Sequence, residues 1–141
     1  GDGYKRIISG YVDASYFMGT NNGNTRLASL YGDGSSSWGT IADFGSSSSM
    51  EVGKPYIVST TMASTLSSGY VNGELVDTNT HADSKVSGKH GYAVGSYQND
   101  PTVQPWGGYI AEIIVINRSI KEEERKAIDS YLSQKWGIIF R

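Results

Sequence analysis

A chain of 141 residues is about one domain's worth, long enough to enclose a core of its own. It has no cysteine, which excludes disulfides, thiolate zinc sites and cysteine nucleophiles together. A net charge of -2 without a cluster of Lys and Arg excludes the electrostatic footprint of a nucleic-acid binder.

The elements follow in chain order. No apolar run approaches the roughly 20 residues that span a bilayer. With 18 Gly and 10 Tyr against 3 Pro, the composition is that of short strands joined by tight turns. Tyr4 to Ser9 reads as a first strand, and Tyr11 to Met18 as a second interrupted by Asp13 and Ala14. Asn21-Asn22-Gly23-Asn24 is a turn, and Arg26 to Tyr31 alternates well enough to return as the other arm of a hairpin. Trp38 to Phe44 is a short strand between two Gly/Ser loops. Neither loop is followed by the Lys and helix that a phosphate-binding loop requires.

Lys54 to Met62 is the next alternating strand. Asn72-Gly73 then separates two apolar-polar arms, and because both residues tolerate positive φ this pair predicts a tight hairpin, with Asn72 as a turn residue. His81, Asp83 and His90 are metal-ligand types, but their spacing converges on no common helix face or strand pair, so no metal or other cofactor is expected. Tyr92 to Tyr97 is a further strand, followed by a loop, 98–107, that carries Asn99, Asp100 and Trp106.

The last third is the most patterned part. From Tyr109 to Ile116, Ile110, Ile114 and Ile116 share a face with Glu112, while Ala111, Ile113 and Val115 share the other. Two apolar faces predict a central strand covered on both sides. Ser119 followed by Glu122 matches a capping box, which starts a helix with acids in its first turn and a Glu122–Lys126 pair four residues apart. Ile128, Tyr131, Leu132 and Trp136 recur at helical spacing, predicting a buried stripe, and Gly137 takes the terminating position.

The strand G-x-I-A-E-I-I-V beginning at Gly108 and the helix end Y-L-x-x-K-W-G beginning at Tyr131 resemble the C-terminal signature of laminin-G-like modules of the concanavalin A-like lectin/glucanase superfamily. The resemblance implies an all-β, two-sheet jelly-roll sandwich with one C-terminal α-helix packed on it, forming a single domain over 1–141. It also implies a place in a bacterial surface protein or a phage tail or head fibre, hence an extracellular or virion-surface location. Modules of this kind begin with an N-terminal strand beside the C-terminal one, whereas this chain reaches Arg6-Ile7-Ile8 at once. The expectation is therefore that the domain lacks its first strand and that a neighbouring segment or another protein chain completes the sheet.

Superfamily glucanases carry E-x-D-x-E, which projects nucleophile and acid from one strand face. Glu112 stands alone here, between Ile110 and Ile114, and no G-x-S-x-G elbow occurs. Glu112 is read as structural, paired with Arg118 or Arg6, and no catalysis is expected. Ser119, Glu122, Tyr131 and Trp136 are likewise structural, as cap and packing residues. What remains is binding. Lectin-like jelly rolls hold sugar on aromatic rings flanked by amide and carboxylate groups, and Tyr97, Asn99, Asp100 and Trp106, with Trp38 beside another loop, supply those types. The same residues also serve as ordinary core aromatics and turn formers. The expected function is a non-catalytic module recognising a cell-surface glycan or polymer. The competing one is a purely structural assembly domain, and a glycan-active enzyme comes third.

Overall fold

The structure is a computed structural model that describes residues 5–10, 16–20, 27–32, 38–43, 51, 53–63, 65–80, 92–97 and 100–139. Its strands are β1 (Lys5–Gly10), β2 (Tyr16–Thr20), β3 (Leu27–Gly32), β4 (Trp38–Asp43), β5 (Val58–Met62), β6 (Leu66–Val71), β7 (Glu74–Thr80) and β8 (Tyr92–Val94), followed by one helix, α1 (Glu122–Trp136). The strands form two antiparallel sheets, one ordered β4-β3-β2-β1-β8 and the other β5-β6-β7. This is the mostly-β, two-sheet body with one helix that the sequence predicts.

The sheets meet where apolar side chains of both project inward. Val71 at the end of β6 is buried and is packed by Met18 of β2 together with Tyr56, Val58 and Val76. The β6–β7 hairpin turns on Asn72 and Gly73, at φ 50° and 87°, the left-handed values that an Asn-Gly turn demands. Asn72 has a second task. Its side-chain oxygen accepts the N–H of buried Ile57 at 2.9 Å, and its own N–H returns to the Ile57 carbonyl at 2.8 Å, so the turn also pins the chain leading into β5.

Two strands are shorter than the sequence predicts. β5 begins only at Val58, and β8 ends at Val94 because Gly95, at φ 80°, turns the chain away. The segment Tyr109–Ile116 departs further. It forms no ladder with any described strand, and Tyr109 is 105% exposed and Val115 59%, with Ile114 and Ile116 exposed as well. Alternation decides which side chains share a face, but it supplies no neighbouring edge to pair with, and among the described residues none is offered. The central, doubly covered strand is thus corrected to a segment outside every described ladder, with Tyr109, Ile114, Val115 and Ile116 exposed and Ile110, Glu112 and Ile113 half-buried.

The helix is also shifted from its expected register. Its N-cap is Lys121 and not Ser119, and the acid that reaches back is Glu124 in place of Glu122, accepting the Lys121 N–H at 2.9 Å. The face turned to the sheets is correspondingly rotated. Arg125 and Asp129 are its buried residues, Ile128 and Leu132 are half-buried, and Tyr131 and Trp136 are exposed, so the predicted apolar stripe is only partly covered. The C-terminal stop is as expected, with Gly137 at φ 65° and the Ile138 N–H returning 3.1 Å to the Ser133 carbonyl.

Candidate binding surface

The loop after β8 is built from its backbone outward. Gly95 accepts the Trp106 N–H at 2.8 Å and Val103 accepts the Tyr97 N–H at 3.0 Å, so the chain leaves β8 and comes straight back. The tip is an Asp turn: one Asp100 carboxylate oxygen accepts both the Thr102 N–H, at 2.8 Å, and the Thr102 hydroxyl, at 2.6 Å. The Thr102 hydroxyl, and after it the Thr102 N–H, hold the Asp100 carboxyl below its usual range. Gln104, at φ 51°, presents its carbonyl to the Arg6 N–H at 3.1 Å and its side-chain oxygen to Arg6 Nε at 2.7 Å. Arg6 is buried on β1 and lies over the Tyr97 ring at 4.9 Å, a cation–π contact that covers one ring face. The loop is thereby latched onto the five-stranded sheet.

Of the sequence-predicted ligand residues, the structure brings Tyr97, Asp100 and Trp106 together on this loop. Asn99 lies outside the described residues. Trp38 opens β4, at the opposite edge of the sheet from β8, with three strands between, on the order of 19 Å at ordinary strand spacing. It does not belong to the same site. Trp106 is half-buried, and its indole N–H, buried at the atom, has no hydrogen-bond partner among the described residues. Gly108 sits against that nitrogen; a Cβ there would stand 3.0 Å from it. His81, Asp83 and His90 lie outside the described residues, and among those described no group of three His, Cys, Asp or Glu could hold a metal. No described helix is long and apolar enough to cross a membrane.

A second surface is formed where the open segment meets the end of α1. Glu112 accepts the Trp136 indole N–H at 2.9 Å and the Lys135 ammonium at 3.0 Å, and neither Arg118 nor Arg6 reaches it in a described contact. These donors, Trp136 first and then Lys135, hold the Glu112 carboxyl below its usual range. Lys135 also donates to the Tyr131 hydroxyl at 2.9 Å and lies 5.2 Å from the Tyr131 ring and 5.4 Å from that of Trp136. Around this network Tyr109, Ile114, Val115, Ile116 and Ile139 are exposed. The surface is therefore apolar, with its one acid already neutralised.

The start of α1 is fixed by Arg118, whose guanidinium grips the Glu124 carboxylate through two bonds of 3.0 and 2.6 Å. Arg118, with the Lys121 N–H behind it, lowers the Glu124 carboxyl to about 2. A folded value below the ordinary 4.5 means a stabilising contribution that is complete above the ordinary value and is lost as pH falls toward about 2. The first helical turn should therefore fray across that window, seen as faster exchange of the Lys121 to Arg125 amides. Glu124→Gln should flatten the dependence and leave the neutral-pH fold intact.

Residues 1–124 match the family model described as the concanavalin A-like lectin/glucanases superfamily, which is most of the chain. The chain belongs to that superfamily. The match ends inside α1, so Tyr131 to Gly137 of this superfamily member lie beyond it. Among curated proteins no relative matches. A crystal structure of an S-layer domain-containing protein from Clostridium thermocellum is similar at a TM-score of 0.47 and 16% identity. It is matched over 92% of this chain, which spans 64% of the length of that one.

Sequence reasoning missed Arg125, Asp129 and Gln104 in this lectin/glucanase-family chain. Neither Arg125 nor Asp129 falls on the apolar stripe that the helical periodicity marks. Their i,i+4 spacing was the only signal of a pair. Gln104 left none, since a polar loop residue at positive φ looks like any other.

Proposed function

We propose that the chain is a non-catalytic binding module of an extracellular or virion-surface assembly, with jelly-roll topology, a surface glycan or polymer as its ligand, and a neighbouring segment or chain completing its sheet. The observation that carries the reading is the open surface of Tyr109–Ile116 and the α1 end, an apolar area whose backbone pairs with no described strand. An exposed patch of that kind is the usual mark of an interaction site. Superfamily membership supports the glycan part. The loop of Tyr97, Asp100 and Trp106 is its proposed seat, because Trp106 and Tyr97 offer ring surface beside a carboxylate. The absence of chemistry is supported by Glu112, whose carboxylate is engaged by Lys135 and Trp136 and is held below the range a general acid needs.

The open segment also favours the second reading, a structural assembly domain with no small ligand. A glycan array read with the parent chain, Trp106→Ala and Asp100→Ala separates the two. Binding to defined sugars that both substitutions weaken supports the lectin-like reading, and binding to none supports assembly alone. Polysaccharide turnover by the parent chain that disappears in a well-folded Glu112→Gln variant would sink both.

A further inference from the structure

The loop that carries Tyr97, Asp100 and Trp106 also has the means to choose among glycans. We propose that Asp100 is its specificity-determining residue, taking the hydroxyl groups of a neutral sugar and turning away sugars that carry a carboxylate or sulfate. The inference rests on the reading of that loop as the glycan seat and names the class of ligand it takes.

Placement comes first. Tyr97 and Asp100 stand opposite each other in an antiparallel bridge, with the Asp100 N–H on the Tyr97 carbonyl at 3.3 Å, so ring and carboxylate share a face. The Tyr97 ring is fixed by Arg6, which lies against it at 4.9 Å and is itself held through Nε by Gln104. An apolar platform with an acid at its edge is thus in place before a ligand arrives, and little ordering is left for binding to bring about.

Hydrogen-bonding capacity sets what the acid can take. An ionised carboxylate has about four acceptor sites and no donor. Thr102 uses a single Asp100 oxygen, with its N–H at 2.8 Å and its hydroxyl at 2.6 Å, and Asp100 is exposed, so acceptor capacity remains for a ligand. The Thr102 hydroxyl has given its proton to Asp100 and is left as an acceptor too. An edge made of acceptors calls for donors, which sugar hydroxyls supply and an anionic carboxylate or sulfate does not.

Charge adds the rejection. The Thr102 contacts keep the Asp100 carboxyl below its usual range, so it is an anion at neutral pH. Arg6 presents no compensating charge at the surface, being 6% exposed and turned to Gln104 and the Tyr97 ring. An acidic group on a sugar stacked at Tyr97 would come within about 5 Å of Asp100, where like charges in near-aqueous surroundings cost about 4- to 10-fold in affinity.

The test sets neutral and acidic glycans side by side on the full chain. The probes are matched pairs of oligosaccharides with one backbone, the exocyclic carbon being a hydroxymethyl group in one member and a carboxylate in the other, titrated at neutral pH. Of any pair that it binds, the parent chain should bind the neutral member about 4- to 10-fold more tightly, and the preference should shrink as salt rises from about 0.05 to 0.5 M. Asp100→Asn keeps an oxygen for the Thr102 N–H, and with it the turn. It should bind neutral members about 10-fold more weakly and acidic members no worse than the parent does, so the preference falls toward unity. Acidic members bound as tightly as neutral ones overturn the selectivity and leave the seat standing where Trp106→Ala still weakens both. A neutral preference that Asp100→Asn leaves intact overturns Asp100 as its source. Binding that neither Asp100→Asn nor Trp106→Ala alters overturns the seat as well, and binding to no member overturns the glycan reading together with this inference. Should Asp100→Asn fail to fold, the parent chain decides: a preference that salt leaves unchanged is not electrostatic and overturns the role given to Asp100.

Discussion

Arg125→Ala should lower stability by about 3–5 kcal/mol, on the order of 15 °C in melting temperature for a domain of this length. Arg125 is 2% exposed and Asp129 1%, and the guanidinium meets the Asp129 carboxylate at 2.5 Å and both Glu122 oxygens at 2.9 and 2.7 Å. The same guanidinium lies 3.7 Å over the Tyr70 ring of β6, while Asp129 accepts the Ser59 hydroxyl of β5 at 3.5 Å. This pair is what fastens α1 to the three-stranded sheet. Truncating Arg125 leaves Asp129 as a buried charge whose one remaining hydrogen bond among the described residues is the long one from Ser59.

The effect should depend on pH in a direction set by burial. Burial raises the Asp129 carboxyl above its ordinary range, and the neighbouring Arg125 charge and the Ser59 hydroxyl pull it back down. The carboxyl lies above its ordinary value even beside Arg125, and losing that charge raises it further, so the folded variant binds a proton that the unfolded chain has released over a wider pH window. The deficit is then complete above the raised folded value and shrinks as pH falls toward the ordinary carboxylate value. Replacing both residues, as Arg125→Met with Asp129→Leu, should recover most of the loss, because a well-packed apolar pair carries no desolvation penalty. Thermal melts of the two variants at neutral and mildly acidic pH check all three statements. An Arg125→Ala protein that melts within about 2 °C of the parent would show that the helix is held elsewhere.

The two sheets were legible because their signals are local. Period-two alternation located β1 to β4 within a few residues, and Asn72-Gly73 announced its turn by chemistry that leaves few alternatives. What misled was the assumption that apolar means covered. Tyr109–Ile116 has the pattern of a buried strand, yet burial depends on a partner that pattern does not supply. The stripe from Ile128 to Trp136 likewise predicted which residues share a face, but a buried ion pair one helical step away decided which face turned inward. A charged pair in an interior cannot be read from periodicity, since its warrant is a ring and a hydroxyl on distant strands. The loop 97–106 was recognised as chemically rich from its residue types. That it is latched by Arg6 depended on a contact 98 residues apart in sequence.

Gly19→Ala should be nearly as damaging, at about 3 kcal/mol, the upper range for forcing an extra methyl into a packed site. Gly19 is buried on β2 opposite Arg6 of β1, beside the point where the β1–β2 register shifts between Arg6 and Ile8. There the two backbones come so close that a Cβ would lie 2.9 Å from the Lys5 carbonyl carbon and 3.1 Å from Arg6 Cα, and nearer still to the Lys5 carbonyl oxygen. All three atoms are main chain, and no rotamer change relieves the clash. The strands must separate. β1 is the strand on which β8 pairs and from which Arg6 reaches Gln104 and Tyr97, so separation at Gly19 should travel to the proposed glycan loop. The expected signature is a large fall in melting temperature together with faster exchange in β1, β2 and the 95–106 loop, while the β6–β7 hairpin on the other sheet changes little. Gly107→Ala is the control, an exposed position where a Cβ meets nothing within 4 Å, and it should melt with the parent. If Gly19→Ala behaves like that control, the close approach of β1 and β2 is wrong, and with it the placement of Arg6 as the latch of the loop.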